Sequence, residues 1–218
     1  MSTARDDILA RVRDATADVT SPPQETRRPP VHDQPGPAAP EVLDLFVERV
    51  ADYKAQVIRV GRDEVATTVA DVLRREGCRS VIVPDGVDED WVRTIDGVVQ
   101  VRRDSPTVTH DDLDRTDAVL TGSAVGIATT GTVVLDHGPD QGRREVTLVP
   151  DTQVCVVRSD QVVPDVPEAV QRLRPDGSGH PRPLTWISGP SATSDIELVR
   201  FEGVHGPRTL IVLLVDDS

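Results

Sequence analysis

An α/β domain with a Rossmann-like, mostly parallel sheet flanked by helices is the fold class that this 218-residue sequence predicts. Three observations carry it. Short β-branched or aliphatic runs such as Ser80-Val81-Ile82-Val83, Thr132-Val133-Val134-Leu135 and Val154-Cys155-Val156-Val157 are bounded by turn formers and read as strands. Segments with helical spacing separate several of these runs, the alternation that produces a doubly wound sheet. The length suits one such domain, which would bury about 70% of its unfolded surface.

The elements follow in order. Residues Ser2 to Val19 place Ile8, Leu9, Val12, Ala15 and Val19 on one helical face, with Ser2 or Thr3 as N-cap. From Thr20 to Pro40 seven prolines (Pro22, Pro23, Pro29, Pro30, Pro35, Pro37 and Pro40) forbid both a continuing helix and a central strand. The chain therefore divides into an N-terminal helix with a Pro-rich linker, 1–40, and an α/β domain, 41–218. In that domain Val42, Leu45, Phe46, Val50 and Tyr53 mark a helix, and Val57-Ile58-Arg59-Val60 a strand. Val65, Val69, Val72 and Leu73 mark a second helix, closed by Gly77. Strand Ser80–Val83, a short helix from Asp88 to Ile95 and strand Val98-Val99-Gln100-Val101 come next, then strands at Ala118–Leu120, Thr132–Leu135 and Val154–Val157. Pro167 suits the first turn of a helix from Val166 to Leu173. Pro183–Ile187 and Thr209–Leu214 both read as buried strands.

Composition narrows the function. A formal charge of -13 and a pI near 4.7 argue against nucleic acid, whose phosphates demand clustered Lys and Arg, and 2% aromatic residues offer little stacking surface. No run approaches the length of a membrane span and the N-terminus lacks a signal-peptide core, so a cytoplasmic protein without membrane insertion is expected. Cys78 and Cys155 sit in apolar contexts and cannot by themselves supply an iron-sulfur cluster or a Cys-rich zinc site. No bound metal is expected. Lys54 is the sole lysine and no Gly-Lys-Ser/Thr occurs, which removes the P-loop. Gly189-Pro190-Ser191-Ala192-Thr193 lacks the last glycine of a nucleophile elbow, and Gly177-Ser178-Gly179-His180-Pro181-Arg182 breaks the dinucleotide fingerprint.

Three polar segments could carry chemistry. In Ala128-Thr129-Thr130-Gly131-Thr132, Thr130 and Gly131 can offer hydroxyl and backbone donors to an anion, although threonine is equally a good strand former. In Asp136-His137-Gly138-Pro139-Asp140-Gln141-Gly142-Arg143-Arg144, the adjacent Arg143 and Arg144 can clamp a carboxylate or serve surface salt bridges. In Ser188-Gly189-Pro190-Ser191-Ala192-Thr193-Ser194-Asp195-Ile196-Glu197, Ser191 and Thr193 can bind an oxyanion, while Asp195 and Glu197 suit proton transfer or turn capping. His205, between Gly203 and Gly206, carries an imidazole that can act as acid, base or structural group. All three loops adjoin predicted strands, and convergence on one anion-binding cleft at the strand ends is the expectation.

Ala128 to Asp136, Gln141–Arg144, Cys155-Val156-Val157-Arg158-Ser159-Asp160-Gln161-Val162-Val163, the segment Ser188–Glu197 and His205-Gly206-Pro207 together resemble the LUD-domain family. The resemblance is close from Asp117 to Val215 and general before it; where the family often has a histidine, this chain has Gln153. It implies a fold related to ribose-phosphate isomerases and CoA transferases. It also implies a part in bacterial oxidation of L-lactate to pyruvate beside two iron-sulfur partner proteins, which would carry the clusters while this chain carries no cofactor. On that reading the chain binds a small carboxylate. A stand-alone isomerase- or CoA-transferase-like enzyme, with Asp195 or Glu197 as base or nucleophile, and a purely structural assembly subunit are the alternatives.

Overall fold

The computed structural model describes residues 4–18, 38–173, 183–194, 200–203 and 205–216. The chain forms two units, Met1–Pro30 and Val31–Ser218. In the first, α1 (Ala4–Ala15) follows the predicted helical spacing, with Asp6 and Asp7 in its first turn and Arg13 in its last, the charge order that suits a helix dipole. None of its residues is buried, and Ile8, Leu9 and Val12 are exposed. The expected caps Ser2 and Thr3, Val19, and the prolines from Pro22 to Pro37 lie outside the described residues.

The second unit opens with α2 (Pro40–Asp52), whose proline stands in the first turn, where its missing N–H costs nothing. Leu43, Phe46 and Val50 are its buried stripe. Ala38, two residues earlier, packs on the same cluster, and its N–H donates to the Ser159 carbonyl at 3.4 Å. β1 (Gln56–Gly61) leads through a 3-10 turn to α3 (Val65–Arg75). The end of α3 is set by Gly77 at φ +70°: the Cys78 N–H donates to the Leu73 carbonyl and the Gly77 N–H to the Arg74 carbonyl, closing the last turn. β2 (Ser80–Val83) and α4 (Glu89–Arg93) follow, the latter capped by the Asp88 carboxylate accepting from the Asp90 N–H. β3 (Gln100–Arg103) begins two residues later than the spacing predicts, because the Val98 and Val99 N–H groups both donate to the Ile95 carbonyl and hold that stretch in a turn.

Next come α5 (His110–Asp114), fixed by a Thr109–Asp112 capping box, β4 (Ala118–Thr121), β5 (Val125–Ile127) and β6 (Thr132–Leu135). A 3-10 turn at Arg144–Thr147 precedes β7 (Thr152–Arg158), then β8 (Val162–Val163) and α6 (Val166–Arg172), with Pro167 in its first turn and Asp165 as N-cap. β9 (Thr185–Ile187), β10 (Ala192–Ser194), β11 (Arg200–Glu202) and β12 (Thr209–Asp216) complete the chain. The short elements α5, β5, β8, β10 and β11 carry too few residues to show a period, which is why the sequence does not announce them.

Six strands form one wholly parallel sheet in the order β1-β12-β7-β4-β2-β3. Both of its faces are covered, which explains the unbroken apolar runs. Val154, Val156, Ile211 and Leu213 point into a cluster with α3 and α4. Cys155, Val157, Leu210 and Val212 point the other way, onto α2 and β6. β8, β5, β6 and β9 make a second, mixed sheet in that order, and β10 pairs with β11. The expectation for Pro183–Ile187 is corrected here: β9 is an edge strand of the second sheet, not a buried one, and Trp186 is 41% exposed. A strand with a neighbour on one side only buries fewer residues than its apolar composition suggests.

Among the described residues, no helix is long and apolar enough to cross a membrane.

Candidate functional site

The parallel sheet has two rims, and each adjoins a cavity. The segment before β7 and the segment before β12 reach the rim where those strands begin. There a cavity of about 370 Å³ is lined by Arg144, Gln153, Ser188, Ser191 and His205, with Trp186 and Leu210 among its apolar walls. Its architecture is held by backbone pairing. The Ser191 N–H donates to the Pro207 carbonyl at 2.8 Å, the Gly203 N–H to the Ser191 carbonyl at 3.0 Å, and the His205 N–H to Ser191 Oγ at 3.1 Å. Gly189, at φ +82°, tucks against Tyr53 at the end of α2, where a Cβ would lie 2.6 Å from the Tyr53 carbonyl oxygen. The glycine-bearing turn is thus anchored on both sides, and Arg144, Ser191 and His205 share one cavity.

Arg144 is exposed and has no carboxylate partner among the described residues. Arg143, its neighbour in sequence, does something different. Its Nε donates to Asp104 at 3.0 Å and an NH2 group to the Val108 carbonyl at 2.7 Å, so it ties the loop to the end of β3 and does not line the cavity. Thr130 and Gly131 are not cavity-lining residues either. Thr130 hydrogen-bonds Thr132 at 2.8 Å, Thr132 hydrogen-bonds Ser188 at 2.7 Å, and this hydroxyl chain braces the cavity wall from behind. Thr193 lies in β10 opposite Phe201. Asp195 and Glu197 lie outside the described residues.

Gln153 and Ser188 are cavity residues that residue-type reasoning did not single out for a role. The available signal was Gln153 itself, one amide inside the apolar run Thr152-Gln153-Val154-Cys155-Val156-Val157. It is 1% exposed and donates to Thr121 Oγ1 at 3.3 Å.

A second cavity, about 550 Å³, lies by the opposite rim, where β4 and β7 end, and is lined by Ser123, Asp136, Asp140, Gln141, Gln161 and Arg172 with apolar neighbours. The 136–142 loop beside it is pinned by glycine contacts: the Gly86 N–H donates to the Pro139 carbonyl at 3.0 Å and the Gly122 N–H to the Asp140 carbonyl at 2.9 Å. His137, at φ +54°, spans the loop, with Nδ1 on the Gly142 carbonyl at 3.1 Å and Nε2 on Thr185 at 2.9 Å. Burial, aided by the nearby Asp136 carboxylate, raises the Asp140 carboxyl above its ordinary range.

The two thiols are buried and apart in the fold, on β7 and just before β2. Burial pushes the Cys155 thiol up to about 12 and also raises Cys78, so neither is a ready thiolate. Among the described residues no group of three or more His, Cys, Asp or Glu side chains is placed to hold a metal ion.

A family model described as the LUD domain matches residues 43–215. A lactate utilization protein C from Deinococcus radiodurans is 49% identical over 175 residues, 80% of each chain. A lactate utilization protein C from Oceanobacillus iheyensis is 22% identical over 193 residues, 83% of this chain and 82% of that one. A crystal structure described as a DUF162 family protein from Deinococcus radiodurans, at 1.70 Å resolution, superposes with a TM-score of 0.66 at 42% identity, covering 80% of this chain and 96% of the other.

Proposed function

The chain belongs to the LUD-domain family, and from that premise we propose that it serves bacterial lactate utilization by holding a small carboxylate in the cavity at the amino rim of the parallel sheet. The observation that carries the reading is Arg144: a guanidinium on a cavity wall with no carboxylate partner among the described residues, in an acidic chain whose other arginines are largely paired. A guanidinium fork matches the two oxygens of a carboxylate. The names of the relatives in Deinococcus radiodurans and Oceanobacillus iheyensis support the choice of lactate as a ligand, and pyruvate is its two-electron oxidation product.

Oxidation of L-lactate to pyruvate removes two electrons and two protons. Arg144 orients the carboxylate, with Ser191 as a further polar contact, and the His205 imidazole takes one proton. Asp195 and Glu197, and Thr193 in β10, are proposed to complete the site. The two electrons would be taken up by iron-sulfur clusters on partner proteins in the cytoplasm and the second proton by solvent, since two buried, separated cysteines offer too few ligands for a cluster on this chain.

Calorimetry with lactate, pyruvate and a sugar phosphate tests the reading. Arg144→Ala should weaken carboxylate binding by about 1.5–3 kcal/mol, the range for a charge-assisted pair, while Arg143→Ala leaves affinity nearly intact. If wild type binds no carboxylate even with its partners present, or if Arg144→Ala binds as wild type does, the reading is wrong. A second reading, a stand-alone enzyme of the isomerase or CoA-transferase kind, is favoured by the larger cavity at the carboxyl rim, the rim where open α/β sheets usually bind ligands. Turnover of a sugar phosphate or acyl-CoA by the isolated chain would select it.

A further inference from the structure

We propose that Ser188 donates a hydrogen bond to the ligand's carboxylate in the amino-rim cavity, and that Thr132 and Thr130, standing behind it, are positioning residues that turn its hydroxyl proton toward the ligand. The inference rests on the carboxylate-binding reading above and deepens it by naming a second residue for the anion, beside Arg144, and the groups that orient it.

Strand register and one tight turn bring the three hydroxyls together. Ile187 stands opposite Val133 in the antiparallel β6–β9 pair, so the next positions along, Ser188 and Thr132, face each other. Their hydroxyl oxygens are 2.7 Å apart. Gly131, at φ +56°, turns the chain so that the Thr130 hydroxyl lies 2.8 Å from that of Thr132. Ser188 lines the cavity that Arg144 also lines, Thr132 behind it is buried at 4% exposure, and Thr130 is half-buried. Valine has nearly the shape of threonine and is as good a strand former, so packing alone asks for no hydroxyl at position 132. The hydroxyl there links Thr130 to a cavity residue.

Counting protons shows what the chain can do. Each hydroxyl has one proton to give and lone pairs to accept with, so three protons serve two mutual contacts. When Ser188 donates to Thr132, the Thr132 proton goes to the Thr130 hydroxyl or to the Thr130 carbonyl at 3.3 Å, and the cavity meets only serine lone pairs. When Thr130 donates to Thr132 and Thr132 donates to Ser188, the serine proton is left free for the cavity. An ionised carboxylate only accepts, so it selects the second arrangement. Each link then polarises the next and strengthens the bond that Ser188 makes. The switch needs rotation of three O–H bonds and breaks none of them.

The test measures L-lactate binding to the full chain by calorimetry. Ser188→Ala should weaken it about tenfold, the effect of one hydrogen bond to a charged group. Thr132→Val, which keeps the shape and loses the hydroxyl, should weaken it about fivefold, while Thr132→Ser, which keeps the hydroxyl, should stay within about twofold of wild type. Added to Ser188→Ala, Thr132→Val should bring no further loss, because Thr132 acts only through Ser188. Thr130→Val, one link farther from the ligand, should weaken binding about threefold in wild type and leave Ser188→Ala unchanged. Should Thr132→Val fail to fold, the Thr130→Val pair decides. Unchanged affinity in Ser188→Ala, no rescue by Thr132→Ser, or losses that simply add overturn the inference. If that happens while Arg144→Ala still weakens lactate binding, only the role of the hydroxyl chain fails. If no carboxylate binds, the carboxylate reading fails and takes this one with it.

Discussion

Gly131 is pressed against the backbone of Arg49: a Cβ on residue 131 would lie 2.5 Å from the Arg49 carbonyl oxygen and 2.7 Å from the Val50 nitrogen, and the residue sits at φ +56°. The close backbone approach that a glycine after Thr129-Thr130 permits is made by helix α2. Through this contact the second sheet docks on α2, and the Thr130–Thr132–Ser188 hydroxyl chain continues from there toward the amino-rim cavity.

Gly131→Ala should therefore be among the most damaging small substitutions, since both the left-handed backbone and rigid neighbouring backbone oppose it. A loss of roughly 2–5 kcal/mol is expected from strain plus overpacking. Urea denaturation measures it, and a loss below about 1 kcal/mol, within the range of ordinary substitutions, would show that α2 can retreat at little cost.

The adjacent arginines should separate cleanly in stability. Arg143→Ala strands the nearly buried Asp104 carboxylate and the Val108 carbonyl, and should cost about 1.5–3 kcal/mol. Arg144→Ala, which breaks no ion pair among the described residues, should stay within about 0.5 kcal/mol of wild type. Thermal denaturation of both variants checks the pair, and equal losses would contradict the assignment of one arginine to structure and the other to the cavity.

Asp140 should make stability depend on pH with a particular sign. Its carboxyl is raised by burial first and by the Asp136 charge as well, so the folded state holds that proton more tightly than the unfolded chain does. Its contribution is fullest below the unfolded carboxyl value and is lost as pH rises through the folded one. Asp140→Asn can still accept from the Gln141 amide, and should raise the melting temperature at neutral pH while bringing no gain at acidic pH. A variant that melts lower than wild type at neutral pH would show that the charged form is stabilised by groups outside this account.

Cys155, with its thiol near 12 and no exposure, should resist alkylation in the native protein at mildly alkaline pH and react only on unfolding. Cys78, slightly exposed at 8%, should react slowly. Mass spectrometry after iodoacetamide treatment, with and without denaturant, reads both. Prompt native labelling of Cys155 would mean that β7 opens readily.

Local chemistry made much of the chain legible. Strands at Ser80–Val83 and Thr132–Leu135 fall where continuous apolar runs demand burial on both faces, Gly77 closes α3, Asp88 caps α4 and Pro167 begins α6. Each of these depends on a few neighbouring residues, and those are contiguous in sequence. Of the candidate site, the residue types were legible but not their placement. Arg144, Ser191 and His205 share a cavity while Arg143, one residue away, turns to Asp104; Gln153, one amide in an apolar run, becomes a buried cavity residue hydrogen-bonded to Thr121.

The apolar runs, the caps and the stops follow from local sequence, because nearest-neighbour sterics and hydrogen bonds settle them. Long-range packing settled that β12 lies inside the parallel sheet, between β1 and β7, and β9 at an edge of the second sheet, although their apolar runs read alike. Strand order rests on partners far away in the chain, Ile211 against Val154 and Trp186 against Val134, and those pairings carry each loop to one rim or the other. The amino-rim cavity forms where such loops meet, so its membership is a property of long-range register that no local pattern contains.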